Sequence, residues 1–291
     1  MARPRFTTSG VLVGALAAFA VGVLVGGALN APPSQEAAAQ SGTLDEIADL
    51  LNERAAANPG AADLRAGAID GMLSALSDPW AEFYPAESVS PQGLEAGART
   101  MPLHVTAEFL STGVRRIAVD SFAEGVTEQV TNALAGNKAG VLLDLRGNPG
   151  GLLEEAVGVA SLFLNGGRVV SYTERGGTAQ FFEAGRGGDT TTPVVVLVDS
   201  LTASAAEIVA AALQERGRAI IVGQRTFGKG SVQEPFTISD GSQVKMTVGH
   251  YRTPAGRDID GIGVSPDVET DYESGPQRSL DILIGSSSGE Q

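Results

Sequence analysis

The chain has 291 residues, 43% of them hydrophobic and 19% charged, which is typical of a globular protein with one sizeable domain and accessory segments. Its formal net charge of −14 argues against nucleic acid as a main partner and against peripheral binding to anionic lipid. The absence of cysteine excludes a disulfide framework, a thiolate metal site and a cysteine nucleophile. The two histidines, His104 and His250, are too few for a three-histidine metal site, and a core or surface role is expected for both.

The first thirty residues indicate a membrane segment. Arg3 and Arg5 precede an uncharged stretch in which residues 11–29 are almost wholly Ala, Val, Leu, Gly and Phe. This length suits a helix that spans a bilayer, with the N-terminus inside and the remainder exported. A cleaved signal peptide is the alternative, which would give a secreted protein. We favour the anchor, because Pro32 and Pro33 make a poor cleavage site, and we expect residues 31–42 to be a flexible linker.

Residues 43–104 are predicted to form a helical region followed by a connection. Residues 43–58 and 61–76 have helical apolar spacing, and Ser77-Asp78-Pro79 ends the second helix. The aromatic residues that follow, Trp80, Phe83 and Tyr84, are interpreted as packing of this helical hairpin on a neighbour.

Residues 105–274 alternate between short apolar runs and helical patterns, which predicts an α/β core with a largely buried sheet. The final residues, 275–291, are predicted to be a tail. The G-x-S-x-G match at 285–289 is not a nucleophile turn, because no strand precedes it. The predicted strands are 116–119, 140–145, 169–172, 193–198 and 219–222, and the predicted helices are 123–134, 152–164 and 204–214.

Three segments of this core carry chemistry. The glycine-rich turn DLRGNPGG at 144–151 follows a buried strand, and such a turn can aim backbone N–H groups at an oxyanion. Ser204 begins a helix between small neighbours that leave room for a polypeptide, although a serine there is also an ordinary helix cap. Lys229 lies between two glycines, which is unusual for a helix or strand, although a solvated surface lysine remains the alternative for this segment alone.

A serine hydroxyl needs a base beside it, and a lysine can act as that base only when its pKa falls from about 10.4 toward 7 or 8. Burial lowers a lysine pKa, and Phe227 and Val232 could supply apolar walls. For Asp144 and Glu207, capping or pairing with Arg146 is favoured over a catalytic carboxylate pair.

The chain resembles the carboxyl-terminal processing peptidases, or tail-specific proteases, of peptidase family S41. The resemblance covers roughly residues 43–84 and 105–270, and Ser204 precedes Lys229 by 25 residues, as in the family. The matching segments are DLRGNPGG at 144–151, TASAAEIVAAALQERGRA at 202–219, VGQRTFGKGSVQ at 222–233 and YRTPAGRDIDGIGVSPDV at 251–268.

The resemblance implies a role for each matching residue. Ser204 would be the acylated nucleophile, Lys229 the general base and Gln233 the residue that positions the lysine, while the N–H groups of Gly150 and Ala205 would form the oxyanion hole. It also implies a crotonase-like ββα spiral core, and an endopeptidase that cleaves extracytoplasmic proteins, including near their C-termini, without a metal or cofactor.

Two departures from the family are visible. The usual PDZ domain would lie between the helical hairpin and the core, but only residues 85–104 occupy that place, well below the roughly 50 residues of a small domain. TASAAE at 202–207 also replaces the serine-rich segment of many relatives. A non-catalytic, anchored peptide-binding or scaffold relative is therefore the alternative, and an acyl-CoA enzyme on the same fold is a more distant one. The oligomeric state is left open.

Overall fold

The computed structural model of the protein describes residues 35–57, 60–89, 105–136 and 138–287. The predicted membrane or signal segment, His104 and most of the connection before the core lie outside these ranges. No helix within them is long and apolar enough to cross a bilayer. The chain divides into two compact units, residues 1–70 and 71–291.

The first unit contains helix α1 (Gln35–Arg54), and helix α2 (Ala61–Ala75) begins in it. The prediction of a flexible linker over 31–42 is wrong for residues 35–42, which belong to α1. Alanines 37–39 have the highest helix propensity, so the helix extends toward the N-terminus beyond the predicted start at residue 43. The apolar side chains of α1, including Leu44, Ile47 and Leu50, are exposed.

The second unit is a mixed α/β structure, as predicted. Its elements in chain order are β1 (Glu82–Tyr84), a short 3-10 helix (Ala86–Ser88), β2 (Val105–Phe109), β3 (Val114–Val119), α3 (Val126–Ala133), β4 (Gly140–Asp144), α4 (Leu153–Ser161), β5 (Arg168–Glu174), β6 (Gln180–Glu183), β7 (Val194–Val198), α5 (Ala205–Glu215), β8 (Ile220–Gly223), β9 (Ser231–Thr237), β10 (Gln243–Arg252), β11 (Val268–Glu269) and α6 (Gly275–Ser287).

A six-stranded sheet of order β11-β8-β7-β4-β3-β2 forms the centre of this unit. All neighbours in it are parallel except β2, which runs antiparallel to β3. Alternate residues of β4 and β7 pack on opposite faces: Val141 and Leu143 join the larger core with α3, α4 and α5, whereas Leu142 joins a smaller core with α6. Burial on both faces explains why these strands are continuous apolar runs.

Helix α6 corrects the prediction of a tail over 275–291. Leu283 is 1% exposed and packs with Leu142, Val195 and Leu197 on the second face of the sheet. The helix forms because Leu280 and Leu283 share one face, three residues apart, and cover strand residues that would otherwise meet water.

A second, antiparallel sheet has the order β1-β10-β5-β6, and β9 also pairs with β10. β10 is long enough to pair with β1 through residues 243–245 and with β5 through residues 249–252. The two sheets position the candidate site, because the turn after β4 and the turn after β7 lie at the same edge of the parallel sheet, as the carboxyl ends of parallel strands do.

Candidate active site

Ser204 lies in the turn between β7 and α5 with φ 55° and ψ −120°, a backbone conformation that non-glycine residues rarely adopt. Such a conformation costs on the order of 1–3 kcal/mol and persists only where the surroundings fix it. Here they do, because the Ser204 N–H donates to Glu207 Oε2 at 2.9 Å and the Ala203 N–H donates to the carbonyl of Asn148 at 2.9 Å.

The glycine-rich turn packs directly on this serine. Gly150 has φ +101°, and a Cβ added to it would lie 2.8 Å from the Cβ of Ser204 and 3.0 Å from the nitrogen of Ala205. Only a glycine therefore fits at this position. Asn148, fully buried, holds the turn by donating to the carbonyl of Val119 at 2.7 Å.

The two predicted oxyanion donors differ in their present bonding. Ala205 is the first residue of α5, and no acceptor within the described residues takes its N–H, as expected for the first turn of a helix. The Gly150 N–H instead donates to Oδ1 of Asn148 at 2.8 Å. Gly150 is thus placed beside Ser204, but its N–H must leave Asn148 before it can bind an oxyanion.

The carboxylate of Glu207, fully buried, connects the serine turn with the lysine loop. Its Oε2 accepts the backbone N–H of Ser204 and, at 2.8 Å, that of Lys229. Its Oε1 accepts the N–H of Gly228 at 2.8 Å and the hydroxyl of Thr226. The prediction that Glu207 caps the helix is confirmed, and its bonds to the lysine loop are an addition that its position in the sequence did not indicate.

Lys229 is partly buried, and this burial, followed by the nearby charge of Lys245, lowers the pKa of its amine. Its Nζ lies 5.0 Å from the ring centroid of Trp80. The next residue, Gly230, donates its N–H to Asp260 Oδ1 at 3.0 Å, so the loop is held on both sides. Within the described residues, no hydrogen bond joins Lys229 Nζ to Ser204 Oγ.

Gln233 is close to the lysine loop but does not bond to its amine. Its Nε2 donates to Ser231 Oγ at 2.9 Å and to Thr247 Oγ1 at 3.4 Å. The expected wall residue Phe227 has a half-exposed ring that packs against Trp80, with centroids 6.2 Å apart. Gln233 and Phe227 therefore lie beside the lysine loop without binding its amine.

Sequence reasoning missed two residues of the site, Asp78 and Trp80. The Asp78 carboxylate accepts the Trp80 N–H at 3.0 Å, and from Thr247 it accepts the N–H at 2.7 Å and the hydroxyl at 3.0 Å. Burial acts to raise the pKa of Asp78, but these hydrogen bonds lower it overall. Trp80 is the chain's single tryptophan and directly follows a helix stop, which is the signal that the sequence offers for it. The predicted hairpin packing does not describe its contact with Lys229.

Asp144 is confirmed as a structural ion-pair residue at the start of the glycine-rich turn. Its carboxylate accepts from Arg146 Nε at 2.9 Å and Nη2 at 2.8 Å, and from Arg116 Nη2 at 2.8 Å. His250 is a surface histidine, 45% exposed in its side chain, with Nδ1 3.7 Å from Asp260. Within the described ranges, no group of three or more His, Asp or Glu residues could hold a metal ion.

Residues 114–270 match the family model described as peptidase family S41, which is more than half of the chain. The chain belongs to peptidase family S41. The match spans the turn of Gly150, the helix opening at Ser204 and the loop of Lys229. Gly150 packs on Ser204, and Glu207 connects Ser204 with the lysine loop.

Named S41 relatives are processing proteases. The chain is 48% identical over 193 residues to the chloroplastic C-terminal processing peptidase of Tetradesmus obliquus, covering 66% of this chain and 40% of the relative. It is 38% identical over 191 residues to the carboxy-terminal processing protease of Bacillus subtilis, covering 62% of this chain and 41% of the relative. The chain thus spans about two-fifths of the length of these curated relatives.

Solved structures agree with the fold. The photosystem II D1 C-terminal processing protease superposes with a TM-score of 0.55 at 34% identity, covering 65% of this chain and 53% of that one. A lipoprotein from Streptococcus agalactiae superposes with a TM-score of 0.62 at 18% identity, covering 88% of this chain and 98% of that one, and this likeness concerns the fold alone.

Proposed function

We propose that this S41 family member is a serine endopeptidase that hydrolyses peptide bonds of proteins through an acyl-enzyme, with Ser204 as nucleophile and Lys229 as general base. The observation that carries the proposal is the buried Glu207 carboxylate, whose Oε2 accepts the backbone N–H groups of both residues, at 2.9 and 2.8 Å. A scaffold that only bound peptide would not need a buried carboxylate to connect these two segments, because burying one is costly unless it is hydrogen-bonded.

The chemistry needs a neutral lysine. Ser204 Oγ attacks the carbonyl carbon of the peptide while its proton passes to Lys229 Nζ, which gives a tetrahedral oxyanion. When the C–N bond breaks, the lysine returns that proton to the leaving amine, and a water molecule then hydrolyses the ester by the same proton transfers. The lowered pKa of Lys229 supports this role, because it raises the neutral fraction at physiological pH.

The oxyanion is assigned to the backbone N–H groups of Ala205 and Gly150, each worth about 2.7–4 kcal/mol in comparable sites. Since the Gly150 N–H is bound to Asn148 and Lys229 Nζ is not bound to Ser204 Oγ, we propose that substrate binding completes the site. Gln233 would move from Ser231 toward Lys229 in the same step.

For the biological setting, we propose that the protein acts on extracytoplasmic proteins and that residues 1–30 anchor it to a membrane. Its named relatives are C-terminal processing proteases, and we extend that class of substrate to this chain. We also propose the crotonase-like ββα spiral for the core, and cleavage without a PDZ domain at residues 85–104.

A denatured protein mixture incubated with the enzyme, followed by mapping of the new termini by mass spectrometry, tests the proposal. The wild type should produce cleavages that Ser204→Ala and Lys229→Ala abolish. Ser200→Ala, a change of the exposed serine four residues earlier, should retain them. Cleavages that persist in Ser204→Ala would refute the assigned nucleophile, and enrichment near C-termini would support tail selection.

A further inference from the structure

The segment Asp78–Tyr84, here the 78–84 strap, lies across the antiparallel sheet next to Lys229. Its first residue bonds to Thr247 of β10 through both the N–H and the hydroxyl, at 2.7 and 3.0 Å. Its last residues form β1, where Glu82 Oε2 and the Tyr84 hydroxyl accept the Lys245 ammonium group at 3.0 and 2.8 Å. The strap is therefore fixed at both ends to one strand.

Between these two anchors lies Trp80. Its ring is half-buried, and its centroid is 5.0 Å from Lys229 Nζ and 6.2 Å from the Phe227 ring centroid. Asp78 accepts the Trp80 N–H at 3.0 Å, so the carboxylate that binds the strap to β10 also fixes the backbone of the tryptophan. The backbone of Lys229 is held separately, because its N–H donates to Glu207, and this bond does not involve the strap.

We propose that Trp80 is a positioning residue for Lys229 and that the indole ring of Trp80 covers the Lys229 amine against water. Asp78 holds this ring in place through its bonds to Thr247. This inference rests on the proposed function of Lys229 as general base. Residues 78–84 precede the part of the chain that matches the family model, residues 114–270, so Trp80 lies outside the matched region whereas Lys229 lies within it.

Two opposing effects of an aromatic ring on an amine must be weighed. Covering an amine disfavours its charged form and can lower a lysine pKa by up to about 3–5 units when burial is complete. A cation over an aromatic face favours the charged form, by less than about one pKa unit at exposed sites and by about 1.5 units when the pair is fully desolvated. Because Lys229 is partly buried, we expect the covering effect to be the larger one.

None of the other charged groups described around Lys229 covers its amine as the Trp80 ring does. Lys245 is a like charge and disfavours the ammonium form, but its own ammonium group is held by Glu82 and Tyr84. The Glu207 carboxylate meets the loop through backbone N–H groups. On the remaining side, Asp260 accepts the Gly230 N–H and faces His250.

The direct test is a titration of the lysine amines by NMR. The chain has three lysines, Lys138, Lys229 and Lys245, so lysine labelled with ¹³C at Cε gives three signals, assigned with Lys229→Met and Lys245→Met. In Trp80→Ala we expect the pKa of Lys229 to rise by about one unit. Trp80→Leu, which keeps apolar cover without an aromatic face, should show less than half of that rise. This readout does not require activity.

The kinetic counterpart is the pH profile of kcat/KM. Trp80→Ala should move the acidic limb of the profile to higher pH by about one unit and lower kcat/KM at pH 7 about tenfold. At high pH its kcat/KM should return to within about threefold of the wild-type value. Phe181→Ala is the matched control, because Phe181 is a 54% exposed ring that stacks on Arg168 outside the site, and its profile should equal that of the wild type.

Asp78→Ala should reproduce the shift of the Lys229 pKa, whereas Asp271→Ala, which removes another aspartate that accepts the N–H and hydroxyl of a single residue, should not. An unchanged or lowered Lys229 pKa in folded Trp80→Ala, or in folded Asp78→Ala where Trp80→Ala does not fold, would overturn the proposal, and so would an activity loss equal at every pH. Full activity of Lys229→Ala would instead refute the proposed general base, whatever the NMR titration of the Trp80 variants showed.

Discussion

Ser204 and Lys229 donate their backbone N–H groups to the same atom, Oε2 of Glu207, at 2.9 and 2.8 Å. The relative position of the two residues is therefore set by their main chains, through one buried carboxylate.

Glu207→Gln should remove this connection. A glutamine amide presents N–H groups where Oε2 or Oε1 now accepts two donors, so two buried donors lose their acceptor. Each loss costs about 1–3 kcal/mol. We expect a fall of several kcal/mol in the free energy of unfolding, measured with urea, and loss of peptidase activity. Glu155→Gln is the control, because Glu155 also accepts two backbone N–H groups and a threonine hydroxyl, but at α3. It should lose stability and retain kcat; equal kcat losses would contradict the role of Glu207.

Gly150→Ala should lower the peptidase activity by more than its loss of stability can explain. The new Cβ would lie 2.8 Å from Ser204 Cβ, so the serine must move, and the positive φ adds about 1–2 kcal/mol of strain. Gly187→Ala offers a comparison, since Gly187 has φ +88° and open space around it. It should lose only the strain contribution, about 1–2 kcal/mol, while kcat/KM stays within about twofold. A Gly150→Ala variant with wild-type kcat/KM would show that the turn tolerates displacement.

Lys229→Met should stabilise the protein at neutral pH. The folded pKa of Lys229 is below its unfolded value of 10.5, so the unfolded chain binds more protons between the two values and stability rises with pH there. The gain from Lys229→Met is therefore largest below the folded pKa and disappears above about pH 10.5.

Lys245→Met is the counterpart with the opposite sign. Burial acts to lower the pKa of Lys245, but bonds to Tyr84 and Glu82 raise it overall. That lysine contributes stability below its unfolded pKa of 10.5, which is lost as the pH rises through its higher folded pKa. Its replacement should lower the melting temperature at pH 7. Thermal unfolding of both variants between pH 6 and 11 measures the two effects. If both substitutions changed the melting temperature in the same direction at pH 7, the opposite pKa shifts assigned to the two lysines would be disproved.

Asp144→Asn should reduce stability at pH 7 by about 2 kcal/mol, because charge-assisted hydrogen bonds to Arg146 and Arg116 are lost. Burial acts to raise the pKa of Asp144, but these arginines lower it below 3.8 overall. The wild type therefore begins to lose this contribution as the pH falls below 3.8, and the two proteins should converge in urea unfolding only below the lower folded pKa of Asp144. Asp258→Asn breaks an exposed pair with Arg252, 3.0 Å apart, and should cost less than about 1 kcal/mol.

Sequence periodicity was sufficient for the parallel sheet, because its strands are buried on both faces and read as continuous apolar runs. It failed for β9 and β10, where residues such as Gln233, Lys245 and Thr247 interrupt any alternation. It also failed for α6, whose few apolar residues become significant only when the uncovered face of the sheet is known.

The candidate site likewise contains residues that the sequence predicts and residues that it does not. Ser204, Lys229 and the turn of Gly150 were accessible from motifs and their order in the chain. Trp80 was not, because its contact with Lys229 joins positions 149 residues apart and leaves no local pattern. The hydrogen bonds of Gly150 and Gln233 to Asn148 and Ser231 were equally invisible, since a motif specifies which residues meet and not their state before substrate binds.

The attachment of Asp78 to Thr247 has a consequence for protein engineering. The segment that matches the family, residues 114–270, excludes both Asp78 and Trp80. A chimera that transplants only that segment would carry Ser204 and Lys229 but leave behind the aromatic ring above the amine. A graft intended to work near neutral pH should therefore begin before Asp78, so that the donor protein's own strap accompanies its lysine.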